Sequence, residues 1–268
     1  MIGGLLALWA GTAGFLALVM TAAWLVQRKT GQGGWADAFW SLGLGAAGVV
    51  VALFPIEGAT PSARQMLAAC LIGAWGLRLG LHIAARARSS DEDPRYARLR
   101  QDWGAQFQSR MFGFLMLQAG AAAFLALSVL VAARNPAPGL TFQDAAASLV
   151  FIGALFGEAI ADRQLARFKA DPANHGQVCD TGLWAWSRHP NYFFEWLGWC
   201  AWPIFAIELS GGWPWGWLAL SGPAYIYWLL TRVSGVPLLE AHMQRSRPKA
   251  FAAYAERTSV FFPRPPRR

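Results

Sequence analysis

Charged residues are scarce in this chain, and cysteine and histidine are scarcer still. Only 14% of the 268 residues are charged, whereas a soluble domain carries about 25%. The three cysteines and four histidines have no spacing typical of metal ligands or a disulfide framework, so we predict no metal site. There is also no P-loop lysine, no H-E-x-x-H, no G-x-S-x-G and no G-x-G-x-x-G after a strand. A nucleotide, if bound, is therefore not held by a Rossmann fold.

Long apolar runs make up most of the sequence. Hydrophobic residues account for 55% of the chain, which includes 15 Trp. The runs are close to the ~20 residues that a helix needs to cross ~30 Å of hydrocarbon. We predict an all-α integral membrane protein with seven transmembrane helices, folded as a single membrane-embedded domain over residues 1–268. The predicted spans are 2–26, 35–54, 62–84, 112–133, 142–161, 191–209 and 213–231.

The basic residues predict the orientation of these spans. Most of the 23 Lys and Arg residues lie in alternate connections and in the tail after the last span. The positive-inside rule then places the N-terminus outside and the C-terminus in the cytosol. Because the basic residues are spread over membrane-flanking segments, the net charge of +8 reflects topology, and we predict no nucleic-acid partner. We expect the tail to form a short cytosolic helical segment near Leu238–Tyr254.

Glycines in the second and third spans predict close helix packing. They are Gly43, Gly45, Gly48, Gly76 and Gly80. Small residues let the backbones of membrane helices approach each other closely. We therefore interpret these glycines as packing residues.

The most informative segment is TGLWAWSRHPNYFFEWLGWCAW, residues 181–202. Pro190 suits the first turn of a helix, where a backbone N–H is unpaired anyway. Asn191 and Glu195 are four residues apart and share one helix face. Polar groups cannot face lipid cheaply, so they indicate a protein-lined site. Basic groups at a helix N-terminus also favour anions. The polar residues at this helix start are Arg188, His189, Asn191, Tyr192 and Glu195.

Two helical spacings place further charged residues on single faces. Arg78 and His82 are four residues apart in the third span, with Arg86 one turn on. Arg78 either binds a phosphate or carboxylate, or it snorkels or pairs structurally with an acid such as Glu158, whereas Arg86 is interpreted as structural. Glu158 and Asp162 are likewise four apart in the fifth span. They either accept hydrogen bonds from a cofactor or pair with a structural arginine.

Three other sites remain open between a structural and a functional interpretation. Within DEDPRYARLR, the set Asp93, Arg95 and Tyr96 could clamp a nucleotide or form a solvated face. Asp37, in the first turn of the second span, either complements the helix dipole or protonates a substrate. Glu240 and His242, which open the tail, are a weak signal by themselves.

At TGLWAWSRHPNYFFEWLGW the chain resembles the steroid 5-alpha-reductase family, in particular its bacterial branch. The similarity extends to GEAIADRQLARFK and EAHMQRSRPKAFAAYAERTSVFFP, and more loosely to DAFWSLG, WGLRLGLHIAAR and EDPRY. These are seven-helix membrane enzymes that use NADPH, bound in the cytosolic half of the bundle, to reduce a carbon–carbon double bond conjugated to a ketone. The RHPNY core is shared with sterol reductases and, as RHPxY, with isoprenylcysteine carboxyl methyltransferases.

The resemblance implies roles for individual residues. Asn191 and Glu195 match the pair that holds the nicotinamide, and Lys169 stands where the family has a phosphate-binding arginine. Asp162 matches a cofactor-contacting acid, and further contacts are implied for Arg95, Tyr96 and His242. The family places a Gln–Glu pair and a Tyr beside the substrate ketone; here Asp37 and Ala38 replace the pair, and the Tyr is missing. The resemblance implies a steroid-like or other hydrophobic enone as substrate, and these departures favour an enone or unsaturated lipid other than a steroid.

Together these observations predict an NADPH-dependent ene-reductase of the bacterial inner membrane, with its cofactor site facing the cytosol. Its partners would be a hydrophobic small molecule and membrane lipids; the sequence favours no oligomeric state. The alternatives are an S-adenosylmethionine-dependent methyltransferase of the isoprenylcysteine type and a non-enzymatic lipid-binding bundle. The predicted catalytic residues are Asp37 and Glu195. The predicted cofactor-binding residues are Arg78, His82, Arg95, Tyr96, Glu158, Asp162, Lys169, Arg188, His189, Asn191, Tyr192, Glu195, Glu240 and His242.

Overall fold

The computed structural model describes residues 2–56, 58–89 and 93–266. In those ranges the chain is helical and forms no strand; one isolated parallel bridge joins Ser187 to Ser259. The α-helices are α1 (Ile2–Thr30), α2 (Trp35–Leu53), α3 (Ala63–Ser89), α4 (Pro94–Trp103), α5 (Phe107–Ala133), α6 (Phe142–Ala170), α7 (Leu183–Trp186), α8 (Pro190–Trp199), α9 (Ala201–Ala206), α10 (Ser221–Trp228), α11 (Val236–Ser246) and α12 (Pro248–Arg257). Short 3₁₀ turns lie at Gly104–Gln106, Pro172–Asn174 and Pro214–Leu220, and a π-helical turn at Leu229–Val233.

Within the part of the chain that the structure describes, five segments are long and apolar enough to cross a membrane, which indicates an integral membrane protein. They are Gly3–Thr30, Trp35–Leu53, Ala63–Arg88, Arg95–Ala133 and Phe142–Ala170. The fourth runs from α4 through a 3₁₀ turn into α5. The prediction of an all-helical membrane protein is thereby confirmed.

The last two predicted spans are segmented in the structure. Residues 191–209 contain α8 and the short α9, with Pro203 inside α9. Residues 213–231 run through a 3₁₀ turn, α10 and a π-helical turn. Seven spans and an external N-terminus stay predictions.

The chain divides into two compact units. The first unit comprises Met1–Asp144 and Trp202–Ala219, and the second comprises Ala145–Ala201 and Leu220–Arg268. A single domain over the whole chain stays a prediction.

In the first unit, α2 packs against α1, α3 and α5. The closest approach joins α2 to α3 at Gly45 and Gly76, where a Cβ on Gly45 would lie 2.8 Å from the Gly76 Cα. A Cβ on Gly48 would meet Ile72 at 2.5 Å, and one on Gly80 would meet Leu42 at 2.5 Å. The prediction that these glycines serve helix packing is confirmed, because side chains there would push the helices apart.

A buried ion pair fixes the connection between α5 and α6 in the first unit. Arg64 donates to both carboxylate oxygens of Asp144, at 2.7 and 2.8 Å, and both side chains are at most 3% exposed. The guanidinium also donates to the backbone carbonyls of Asn135, Ala137 and Gly139. Because the charge is paired and its N–H groups are used, the burial of Arg64 is tolerated.

In the second unit, α8 lies against α6. A Cβ on Gly157 of α6 would meet the Phe194 ring of α8 at 2.4 Å. The tail returns to the chain just before α8, since the Tyr254 hydroxyl donates to the Trp184 carbonyl at 2.6 Å. The Arg188 N–H likewise donates to the Ser259 carbonyl at 2.8 Å. The predicted tail helix is present as two helices, α11 and α12, which meet at Arg247.

Candidate functional site

The start of α8 organises the polar residues of the second unit. Pro190 occupies the first turn, as the sequence predicts, and His189 precedes it as the N-cap residue. The His189 backbone N–H donates to the Ser187 hydroxyl at 3.1 Å, and its carbonyl accepts the Phe193 N–H at 3.0 Å. The helix start is therefore fixed by its own backbone and by the preceding serine.

Asn191 brings α8 into polar contact with α6. Its Nδ2 donates to Asp162 Oδ1 at 3.3 Å, while its Oδ1 accepts the Tyr192 N–H at 3.1 Å. One turn further on, Glu195 is only 9% exposed and accepts a hydrogen bond from Trp199 Nε1 at 2.9 Å. A carboxylate, an amide and a buried glutamate thus lie along the α6 and α8 pair.

The other predicted residues of α6 lie on the same continuous helix. Glu158 is 5% exposed, Asp162 is half-buried and Lys169 is exposed in the last turn. Asp162 and Lys169 are seven residues apart, or about 10 Å along the helix axis and on one face. α6 therefore carries a buried acid, a half-buried acid and then a base near its C-terminal end.

Arg188 and Glu240 join the tail to the start of α8. Arg188 Nε lies 2.7 Å from Glu240 Oε1 and Nη2 lies 3.2 Å from Oε2. Arg188 Nη1 donates to the carbonyls of Ala255 and Thr258 at 3.1 and 2.9 Å. Four of the five N–H groups of the guanidinium are thus used within the second unit. Contact of Arg188 with a cofactor stays a prediction, and the structure assigns this residue a tail-binding role.

His189 completes this tail contact. Its Nε2 lies 3.2 Å from Glu240 Oε1, and its ring stacks on Tyr192 with 5.5 Å between centroids. His242, the other predicted histidine of the tail, is exposed on α11.

The tail contact alters the pKa values of two groups. Burial by itself raises the pKa of Glu240, but the hydrogen bonds from His189 and Arg188 and the Arg188 charge outweigh it and leave that pKa below its usual range. Burial raises the pKa of the Tyr254 hydroxyl, which donates to the Trp184 carbonyl. Glu240 is thus held as an anion and Tyr254 as a neutral donor.

The first unit holds a second polar cluster, between α2 and α4. Asp37 Oδ2 accepts from Arg95 Nη2 at 2.6 Å, and Oδ1 accepts from the Tyr96 hydroxyl at 2.9 Å. Asp93 caps α4 and accepts from Arg95 Nε at 3.0 Å. The Tyr96 side chain is buried against Gly33, where a Cβ would lie 2.2 Å from the ring. Both oxygens of Asp37 are acceptors here, and its role as proton donor stays a prediction.

The basic residues of α3 lie on one helix, as predicted. Arg78 is half-buried, and His82 and Arg86 are exposed. Arg86 Nη2 lies 3.5 Å from Asp93 Oδ2, which gives it a weak structural pairing. A cofactor role for Arg78 and His82 stays a prediction.

Sequence reasoning missed two partners of the predicted residues. Trp199 donates to Glu195 from one helical turn away, a spacing that could have indicated it. Ser187 supports the start of α8 and donates to the Phe261 carbonyl at 2.8 Å. Nothing in the local pattern indicates that second contact, because the two residues are 74 positions apart. Among the described residues, no group of three or more His, Cys, Asp or Glu is arranged to hold a metal ion.

Comparison with known proteins identifies one family. A family model described as a protein of unknown function, DUF1295, matches residues 23–258. No curated protein and no solved structure matches the chain.

Proposed function

This chain belongs to the DUF1295 family, and we propose that it is a membrane reductase that uses NADPH to reduce a carbon–carbon double bond conjugated to a ketone. The observation that carries the proposal is the polar contact of Asn191 with Asp162 beside the buried Glu195, between two apolar helices. Polar and ionisable groups within membrane segments are costly and mark binding sites. The resemblance of the RHPNY segment to steroid 5-alpha-reductases supplies the identity of the cofactor.

The chemical types of the polar side chains in the second unit, and their sequence along α6, suit a dinucleotide. Carboxylates and amides suit the hydroxyl groups of a ribose and the carboxamide of nicotinamide, all of which need hydrogen-bond partners. Phosphates need cations, and Lys169 lies about 10 Å along α6 from Asp162. We assign Asn191, Asp162 and Glu195 to the nicotinamide end, and Lys169 to a phosphate.

The chain contributes binding and orientation to this reaction. Bound NADPH would supply the hydride for the β carbon of the enone, and an acid would supply the proton for the α carbon. Asn191 and Glu195 orient the nicotinamide, and the apolar residues around them exclude water. The predicted proton source, Asp37, belongs to the first unit and forms a cluster with Arg95 and Tyr96. Within that cluster the Tyr96 hydroxyl carries the proton that Asp37 accepts.

We further propose seven spans with the N-terminus outside and the cofactor side in the cytosol. The distribution of Lys and Arg supports this orientation. A cytosolic site gives access to NADPH, and a membrane-embedded chain gives access to a substrate dissolved in lipid. The substrate class is therefore a hydrophobic enone, steroid-like or otherwise.

Calorimetry on the full chain in lipid nanodiscs tests the proposal. NADPH and S-adenosylmethionine are titrated separately, and NADPH oxidation is then followed with a panel of hydrophobic enones. Saturable binding of NADPH and enone-dependent oxidation are expected. Binding of S-adenosylmethionine instead would establish the methyltransferase alternative, and binding of neither would leave a lipid-binding bundle.

A further inference from the structure

Only one nitrogen of the His189 ring has a polar partner among the described residues. Its side chain is 7% exposed, and the one polar contact of its ring atoms among the described residues joins Nε2 to Glu240 Oε1 at 3.2 Å. An ionised carboxylate accepts hydrogen bonds and does not donate them, so Nε2 must carry the hydrogen. In the neutral ring, Nδ1 then has a free lone pair and is an acceptor.

Glu240 is itself fixed by Arg188. The two-point pairing at 2.7 and 3.2 Å sets the plane of the carboxylate, and the carbonyls of Ala255 and Thr258 hold the guanidinium from the other side. Because Arg188 and Glu240 neutralise each other, their contact leaves little net charge to attract a phosphate. Their geometry instead fixes the orientation of the neighbouring imidazole.

We propose that Glu240 is a positioning residue that holds His189 with Nε2–H toward the tail and Nδ1 as a hydrogen-bond acceptor for the bound dinucleotide. The ligand group that this acceptor takes is a donor, a ribose hydroxyl or the carboxamide N–H, and not a phosphate. The identity of the ligand rests on the proposed function, whereas the state of the ring does not. In this proposal Arg188 and Glu240 act through His189.

Two substitutions of His189 separate its two ring nitrogens. The Asn oxygen in His189→Asn occupies roughly the position of Nδ1, and the Gln amide in His189→Gln reaches roughly the position of Nε2. Affinity for NADPH is measured by calorimetry for both variants in nanodiscs. We expect both variants to bind NADPH more weakly than the wild type, with His189→Asn keeping about tenfold higher affinity than His189→Gln. The reverse order would overturn the proposal, since the tail contact would then matter and the acceptor would not. Equal losses would overturn it too.

The state of the ring is measured without any cofactor. In ¹⁵N-histidine NMR at about pH 8, where an ordinary imidazole is neutral, the His189 signals are assigned with His189→Gln. We expect the Nε2–H tautomer in the wild type and a mixture of tautomers in Glu240→Ala. A wild-type ring protonated at Nδ1 would overturn the proposal, whether or not NADPH binds.

A control variant distinguishes two roles of Glu240, namely orienting the His189 ring and anchoring the tail. Tyr254→Phe removes the hydroxyl that donates to the Trp184 carbonyl but leaves the Glu240 contacts in place. We expect it to keep the Nε2–H tautomer and to raise the Kd for NADPH less than threefold, whereas Glu240→Ala raises it about tenfold. Equal effects of the two substitutions on both measurements would mean that Glu240 is only a tail anchor. If wild-type protein does not bind NADPH, the proposed function fails, and the tautomer measurement still decides the role of Glu240.

Discussion

Asn191 Nδ2 lies 3.3 Å from Asp162 Oδ1 and connects α8 to α6. An amide can donate to a carboxylate at this distance, but a second carboxylate cannot. We expect Asn191→Asp to weaken NADPH binding at least tenfold, because two like charges would meet there. The double variant Asn191→Asp with Asp162→Asn reverses the pair and should recover part of the affinity. Calorimetry on the three variants checks this, and strictly additive losses would contradict a direct contact.

Glu195 is the residue whose loss should affect turnover most. We expect Glu195→Ala to lower NADPH-dependent turnover at least a hundredfold, since a buried carboxylate that orients the nicotinamide is lost. Trp199→Phe is the matched control, because it removes the N–H that donates to Glu195 and keeps an aromatic ring. Its loss should be less than about tenfold. Thermal unfolding confirms that both variants are folded, and unchanged turnover in Glu195→Ala would remove this residue from the site.

The stability that Glu240 contributes should depend on pH in a defined direction. The pKa of Glu240 is lower in the folded chain than in the unfolded chain. The ionised carboxylate therefore stabilises the fold fully above the ordinary glutamate pKa of about 4.3. This stabilisation is lost as the pH falls through the pKa of the folded state. We expect the unfolding temperature of the wild type to exceed that of Glu240→Gln near pH 7 and to converge with it below about pH 4. A difference that stays constant from pH 7 to pH 3 would exclude this linkage.

The buried pair of Arg64 and Asp144 should be essential for stability. Asp144→Asn leaves a guanidinium that is 3% exposed without its counter-charge, which costs about 3–5 kcal/mol. Arg98→Met provides the contrast, because Arg98 and its partner Asp102 are 66% and 48% exposed and such pairs contribute about 0.2–1 kcal/mol. Reversible unfolding in detergent measures both losses. Similar losses for the two variants would argue against the buried network.

A glycine-to-alanine substitution, which adds one methyl group, tests how closely α2 and α3 pack. In Gly45→Ala the new Cβ would lie 2.8 Å from a backbone atom, the Gly76 Cα, so we expect a loss of about 1–3 kcal/mol. Gly120→Ala on α5 meets nothing within 4 Å and should be neutral or stabilising by up to about 1 kcal/mol. Unfolding of the two variants under the same conditions compares them directly. A neutral Gly45→Ala would show that the helices can move apart at no cost.

Local sequence patterns were enough to predict the long helices, the start of α8 and one close contact between helices. The long apolar runs predict the five long helical segments, Pro190 marks the first turn of α8, and the glycines at Gly45 and Gly76 predict a close helix contact. These features follow from backbone geometry and from residues within a turn or two of each other. The last two predicted spans are divided into shorter helical segments, with Pro203 inside α9 and a 3₁₀ turn at Pro214–Leu220.

Only the tertiary structure decided which charged groups pair. Arg188 pairs with Glu240, 52 residues away, and Asp37 accepts from Arg95 across 58 residues. The sequence offers many acids and bases that could combine, and the Coulomb attraction between them has no sequence signature. Folding selects the pairs whose burial is compensated by further hydrogen bonds, and those bonds come from backbone groups that only the assembled helices bring within reach.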